Sequence, residues 1–122
     1  MEVMIMFEKV LVSTDFSAPS KQLIHCVDEF RCLGVKEVVL AHVVDFRTAG
    51  LSMEAFRIHD EEKLNQERRR FENLGFSAKT LVTIGNPAPE IVRFSEEEKT
   101  SLIIIASHGE GIIKQVFLGS TV

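Results

Sequence analysis

The sequence predicts a doubly wound α/β domain built on an open parallel sheet. Three observations carry this. Four short, apolar, β-branched runs occur along the chain, at 9–13 (KVLVS), 37–44 (EVVLAHVV), 78–84 (AKTLVTI) and 102–106 (LIIIA). The gaps between them hold stretches with apolar residues at helical spacing. Strands separated in this way pair in parallel, because a parallel neighbour is reached only through a crossover.

The elements follow in order. After the first strand, Ser17 reads as a helix N-cap with Pro19 in the first turn. Leu23, Val27, Phe30 and Leu33 follow at helical spacing, and Gly34 stops the helix. The second strand runs into a loop over 45–52. Residues 53–74 form a long charged helix, with an apolar stripe at Met53, Phe56, Leu64, Phe71 and Leu74 and Gly75 as its stop. The stripe is thin, so this helix is expected to lie on the surface. Its charge runs, 60–63 and 67–70, read as a solvated face with i,i+4 pairs. Gly85 and Asn86 turn the chain after the third strand. Asn86 is expected to cap the next helix, Pro87 to open it, and Ile91, Val92 and Phe94 to form its apolar side. The fourth strand, apolar on every side, reads as a central parallel strand.

The chain has 122 residues, which suits a single domain over 1–122. Its net charge of −4 and lack of a basic aromatic stretch argue against a nucleic-acid partner. Residues 1–7 lack the charged start and cleavage site of a signal peptide. No stretch approaches the ~18 apolar residues needed to span a bilayer. Cys26 and Cys32 lie six apart in a helical pattern, too far along the axis to bridge. A cytoplasmic protein with no membrane partner is expected.

In an open parallel sheet, ligands bind outside the carboxyl ends of the strands, where the strand order reverses. The segments there are 13–17 (STDFS), 43–45 (VVD), 107–111 (SHGEG) and 119–121 (GST). Asp15 can accept hydrogen bonds from a ligand hydroxyl or amino group, or it can cap the following helix; the residues alone leave both open. Gly109 and Gly111 allow close backbone approach, and Gly119-Ser120 can present amides to a phosphate. His25, His42, His59 and His108 show no metal-ligand spacing, so no metal site is expected. His42 reads as a hydrogen-bonded core histidine, and His108 can reach a phosphate. Ser107 and Ser120 have no nucleophile elbow or visible base, so no catalytic residue is assigned.

Residues 8–18 (EKVLVSTDFSA), 38–45 (VVLAHVVD), 85–92 (GNPAPEIV) and 102–122 (LIIIASHGEGIIKQVFLGSTV) together resemble a universal stress protein domain. The family's motif is Gly-x2-Gly-x9-Gly-Ser/Thr; this chain reads Ala106-x2-Gly109-x9-Gly119-Ser120. The resemblance implies an open sheet of order 3-2-1-4-5 and an adenine nucleotide, ATP or AMP, at the strand ends. It implies that Asp15 contacts the adenosine and Val43 lines the adenine slot. Gly109, Gly119 and Ser120 would wrap ribose and phosphates, with amides of 119–121 as donors and a hydroxyl from Thr121. Ser13, Thr14, Ala106, Ser107 and His108 complete the candidate set. Magnesium or manganese is expected to accompany ATP. A homo-oligomer acting in stress response or signalling is implied. The alternative is an interaction module of the same family that binds no nucleotide. Hydrolysis has little support: the chain has neither a pyrophosphatase-type SGGxDS loop nor a Walker A lysine.

Three departures matter. Ala106 replaces the motif's first glycine; its methyl either costs about 1–2 kcal/mol at a positive φ or crowds the ribose. Ser13 stands where nucleotide-binding members often carry proline, a mild change if a backbone carbonyl makes the contact. Only three residues follow Gly119, too few for the family's last helix and fifth strand. The fourth strand is therefore expected to be a bare apolar edge. A truncated reading frame, a processed chain and a fragment all fit such an end.

Overall fold

The structure is a computed structural model and describes residues 7–14, 16, 26–46, 53–106 and 115–118. Its sheet has five strands: β1 (Lys9–Thr14), β2 (Glu37–Asp45), β3 (Ser77–Gly85), β4 (Leu102–Ala106) and β5 (Gln115–Leu118). Three helices are described: α1 (Val27–Cys32), α2 (Met53–Asn73) and α3 (Pro87–Glu98). The strand order is β3-β2-β1-β4-β5. The pairs β1·β2, β1·β4 and β2·β3 are parallel, as the crossover rule demands.

Both faces of the sheet are covered. On one face Val10, Val12, Val38, Leu40 and Ile104 pack under Phe30 of α1 and under Leu64 and Phe71 of α2. On the other, Leu11, Val39, Ala41, Val43 and Ile103 pack under Ile91 and Phe94 of α3. The alternation of successive strand residues between these two cores explains why the strands read as continuous apolar runs. Helices on both faces make the sheet doubly wound, with the chain's direction of travel reversing between β1 and β4.

Each helix ends in the same way. Gly34 (φ 84°) and Gly75 (φ 100°) follow α1 and α2 in the left-handed conformation. Val35 then donates back to the Phe30 carbonyl at 3.0 Å and Phe76 to the Phe71 carbonyl at 3.1 Å. These are Schellman closures, with the apolar contact such closures favour between the two paired residues. Phe71 and Phe76 meet edge to face at 6.0 Å, and Phe30 stacks on Phe71 at the same separation. Lys99 plays the glycine's part after α3, at φ 56°. There Thr100, fully buried, donates its N–H to the Ser95 carbonyl and meets the Ser95 hydroxyl at 2.6 Å.

Five expectations need correction. Val92, read as part of the apolar side of α3, is 50% exposed. The outer side of β4 is not bare: β5 pairs with it antiparallel, Leu102 opposite Leu118 through Ile105 opposite Gln115. Only eight residues separate the two strands, too few for the dozen or so that a parallel crossover requires, so the chain returns antiparallel. Phe56 does not join the buried stripe of α2 and is 48% exposed. At 100° per residue it lies roughly 80° around the helix from Leu64. Asp60, read as solvated, sits one turn before Leu64 on the inward face, and its side chain is 13% exposed. Asn86 stands at the α3 N-cap but makes no side-chain cap; its carbonyl instead accepts the Glu90 N–H at 3.2 Å.

Elsewhere in the α2 charge run the expected i,i+4 pairs form at Arg57–Glu61 and Arg68–Glu72, and Arg57 also bonds Glu54. The helix start expected at Ser17 lies outside the described residues. No described helix is long and apolar enough to cross a membrane. Among the described residues no three His, Cys, Asp or Glu side chains gather as for a metal ion.

Candidate functional site

The carboxyl ends of β1, β2 and β4 lie side by side. Ser13 pairs with Ala41 across β1·β2, and Thr14 pairs with Ala106 across β1·β4. The segments beginning at 15 and at 107 therefore leave from adjacent strand ends, at the reversal of strand order. Ser13 and Thr14 are buried, and Val43, two residues beyond Ala41, is buried beside them near the end of β2. Asp15, Ser107, His108, Gly109, Gly119, Ser120 and Thr121 lie outside the described residues.

Ala106 ends β4 as an ordinary paired strand residue. Among the described residues only Phe16 and Lys99 combine a side chain with positive φ. The Ala106 backbone is therefore that of an ordinary strand residue.

The turn out of β1 is tightly held. Phe16 sits at φ 62°, which costs a non-glycine residue about 1 kcal/mol. Thr14 Oγ1 accepts the Phe16 N–H at 3.0 Å, closing the turn from the strand side. The Phe16 ring lies 4.5 Å from the His42 ring, tilted by 47°, and the Lys63 ammonium sits 5.4 Å from its centroid.

His42 is the hydrogen-bonded histidine the sequence suggests, with partners on two elements. Nδ1 lies 2.8 Å from the Thr14 carbonyl oxygen, and Nε2 lies 2.8 Å from Asp60 Oδ2. Sequence reading placed His42 in a strand and Asp60 in a solvated charge run, and so missed their pairing. The available signal was spacing: Asp60 is four residues before Leu64 and shares its inward face.

A different set of charges closes the opposite end of the sheet. Lys9 reaches Glu37 at 3.1 Å and Glu98 at 3.2 Å, and Lys79 reaches Glu98 at 2.8 Å. The Lys79 hydrogen bond, with help from Lys9, holds the Glu98 carboxyl below the usual range. Burial pushes Lys9 down, but its bonds to Glu37 and Glu98 together outweigh that and leave it raised. At the amino ends the described side chains Lys9, Lys79, Glu37 and Glu98 thus form a cluster of paired charges.

Comparison with known proteins agrees with this architecture. A model described as the universal stress protein family matches residues 6–122. Universal stress protein MJ0577 of Methanocaldococcus jannaschii is 33% identical, over 95% of this chain and 86% of that protein. Its solved structure gives a TM-score of 0.63 over 86% of this chain and 78% of that chain, at 34% identity. The hypothetical protein PH0823 gives a TM-score of 0.73 at 32% identity, over 95% of this chain and 86% of its own. A universal stress protein in complex with cAMP shares the fold at 19% identity and a TM-score of 0.54, over 82% of this chain and 72% of that one. Sheet order, helix placement and a match along almost the whole sequence lead to one assignment: this chain belongs to the universal stress protein family.

Proposed function

We propose that this domain binds an adenine nucleotide, ATP or AMP, at the carboxyl ends of β1, β2 and β4, and acts in stress response or signalling as a binding module rather than an enzyme. One observation supports the reading: Thr14 and Ala106 are register partners at the strand-order reversal, so the segments that begin at 15 and at 107 leave from adjacent strand ends. A universal stress protein that holds cAMP in the same fold supports an adenine nucleotide as the ligand class.

In this reading Asp15 accepts hydrogen bonds from the adenosine. Val43, apolar and buried beside β1, fits the wall of a base slot. Ser13 and Thr14 frame Asp15. Ala106, Ser107, His108, Gly109, Gly119, Ser120 and Thr121 follow ribose and phosphates, with backbone amides as the main donors. Magnesium or manganese accompanies ATP through the phosphate oxygens. The domain works in the cytoplasm as a homo-oligomer, with neither nucleic acid nor membrane as partner.

Backbone amide shifts test the location. On adding ATP or AMP, the amides of Thr14, Val43 and Ala106 move, while those of Lys9, Glu37 and Glu98 at the far end stay. Shifts confined to the far end, or none at millimolar nucleotide, overturn the reading in favour of an interaction module without a nucleotide.

A further inference from the structure

One side of the sheet ends at β3, a nine-residue strand whose outer edge has no strand partner among the described residues. Its inner side pairs with β2 without a break from Ser77 to Gly85, so the strand carries no bulge. Nine residues of extended chain make this edge roughly 30 Å long.

The register decides which backbone groups face outward. Ser77 stands opposite Glu37 and donates its N–H to the Lys36 carbonyl at 2.9 Å. A strand residue bonded in this way turns both its N–H and its C=O to the partner strand, and its two neighbours turn theirs away. Ser77, Lys79, Leu81, Thr83 and Gly85 therefore face β2. Ala78, Thr80, Val82 and Ile84 direct their N–H and C=O groups to the open edge.

Native edge strands are guarded by shortness, proline, a bulge or charge, lysine above all. β3 is long, unbulged and free of proline, and its one charged residue is Lys79. That lysine is drawn back to α3, with Nζ 2.8 Å from Glu98 Oε2, so its charge is matched within the chain. Leu81, Val82 and Ile84 are only half-buried, although Leu81 leans on the core under α3 and Val82 on the core under α1 and α2.

We propose that the β3 edge pairs antiparallel with the β3 edge of a second copy, joining two sheets into one about a two-fold axis at Leu81. With the axis there, Ala78 stands opposite Ile84 and Thr80 opposite Val82. All four are outward residues, and antiparallel partners of this kind exchange both of their hydrogen bonds. Every outward group of the edge is thereby paired. Moving the axis by one residue puts Ile84 opposite Phe76, or Ala78 opposite Asn86, and both of those lie outside the strand. At the axis Leu81 meets Leu81 in a closely spaced pair, and Lys79 meets Thr83, so no like charges are opposed. A two-fold contact requires a surface complementary to itself, and this edge is. The inference names the surface of the homo-oligomer proposed above and rests on that reading.

Sedimentation of the full chain over a concentration series, with amide hydrogen exchange at the same concentrations, tests it. The wild type is expected to dimerise. Exchange at Thr80 and Val82 is expected to slow about tenfold or more as the dimer forms, while Leu81 and Thr83, bonded to β2, stay slow throughout. Leu81→Glu and Leu81→Lys each set two like charges against each other at the axis, and each is expected to weaken the dimer about tenfold or more. An equal mixture of the two variants is expected to restore it, because carboxylate then meets ammonium; a misfolded chain would not be rescued in this way.

A dimer that persists in both variants overturns the β3 edge and leaves the homo-oligomer to another surface. Exchange at Thr80 and Val82 that ignores wild-type dimerisation does the same. A wild type that stays monomeric at every concentration overturns both the edge and the homo-oligomer.

Discussion

His42 Nε2 and Asp60 Oδ2 lie 2.8 Å apart, joining a strand of the sheet to the helix that covers it. The acid is carried on the one inward-facing turn of an otherwise outward charge run. Truncation to Asp60→Ala leaves a ring nitrogen without its partner in a mostly buried place. A loss of about 2 kcal/mol is expected in urea unfolding, against about 0.5 kcal/mol or less for the exposed Glu62→Ala. Equal losses would show that the pair adds nothing to stability.

Leu64 is fully buried between α2 and the sheet, whereas Ile58, on the same helix, is 58% exposed. Leu64→Ala is expected to cost about 3 kcal/mol through lost transfer energy and the cavity left behind. Ile58→Ala is expected to stay within about 0.5 kcal/mol. Denaturant midpoints at constant slope measure both.

The left-handed residues after α2 and α3 make opposite predictions. Gly75 sits at φ 100° with open space where a Cβ would be, so Gly75→Ala meets backbone strain alone and costs about 1 kcal/mol. Lys99 already bears that strain at φ 56°, and Lys99→Gly is expected to gain up to about 1 kcal/mol. Thermal unfolding of the two variants should move in opposite directions. A loss of stability in Lys99→Gly would contradict the closure described for α3.

Acid stability tests the charge cluster at the amino ends of the strands. Glu98 is held below the ordinary glutamate value of about 4.3 by Lys79 and then Lys9. Its contribution is therefore complete above about pH 5 and is lost as pH falls through the lowered folded-state value. Glu98→Gln removes that contribution, on the order of 1 kcal/mol and reduced by added salt. The gap between wild type and Glu98→Gln should be constant near neutrality and narrow in acid. A gap that widens as pH falls would reverse the assignment.

Much of the fold was legible in local patterns. The four parallel strands are apolar because both of their faces are covered, and Gly34 and Gly75 mark helix ends because a Schellman closure favours glycine. What was illegible came from features without a local signature. Lys99 closes α3 in a conformation its side chain does not advertise. Gln115–Leu118 is a four-residue strand whose pairing depends on a short return, a length effect rather than a composition effect. The His42–Asp60 pair joins residues 18 apart, each with an ordinary local reading. Ser13, Thr14 and Ala106 stand at neighbouring strand ends, and Val43 lies two residues before the end of β2. Ala106 ends β4 as a strand residue and is not among the described residues at positive φ.

Calorimetric titration of the full chain with ATP and AMP decides whether the strand ends hold a nucleotide. Saturable one-to-one heat is expected for the wild type, with loss of that heat in Asp15→Ala. Ala106→Gly is expected to gain about tenfold in affinity, the size of a relieved methyl clash of about 1.4 kcal/mol. No heat at millimolar nucleotide in either the wild type or Ala106→Gly would contradict nucleotide binding there.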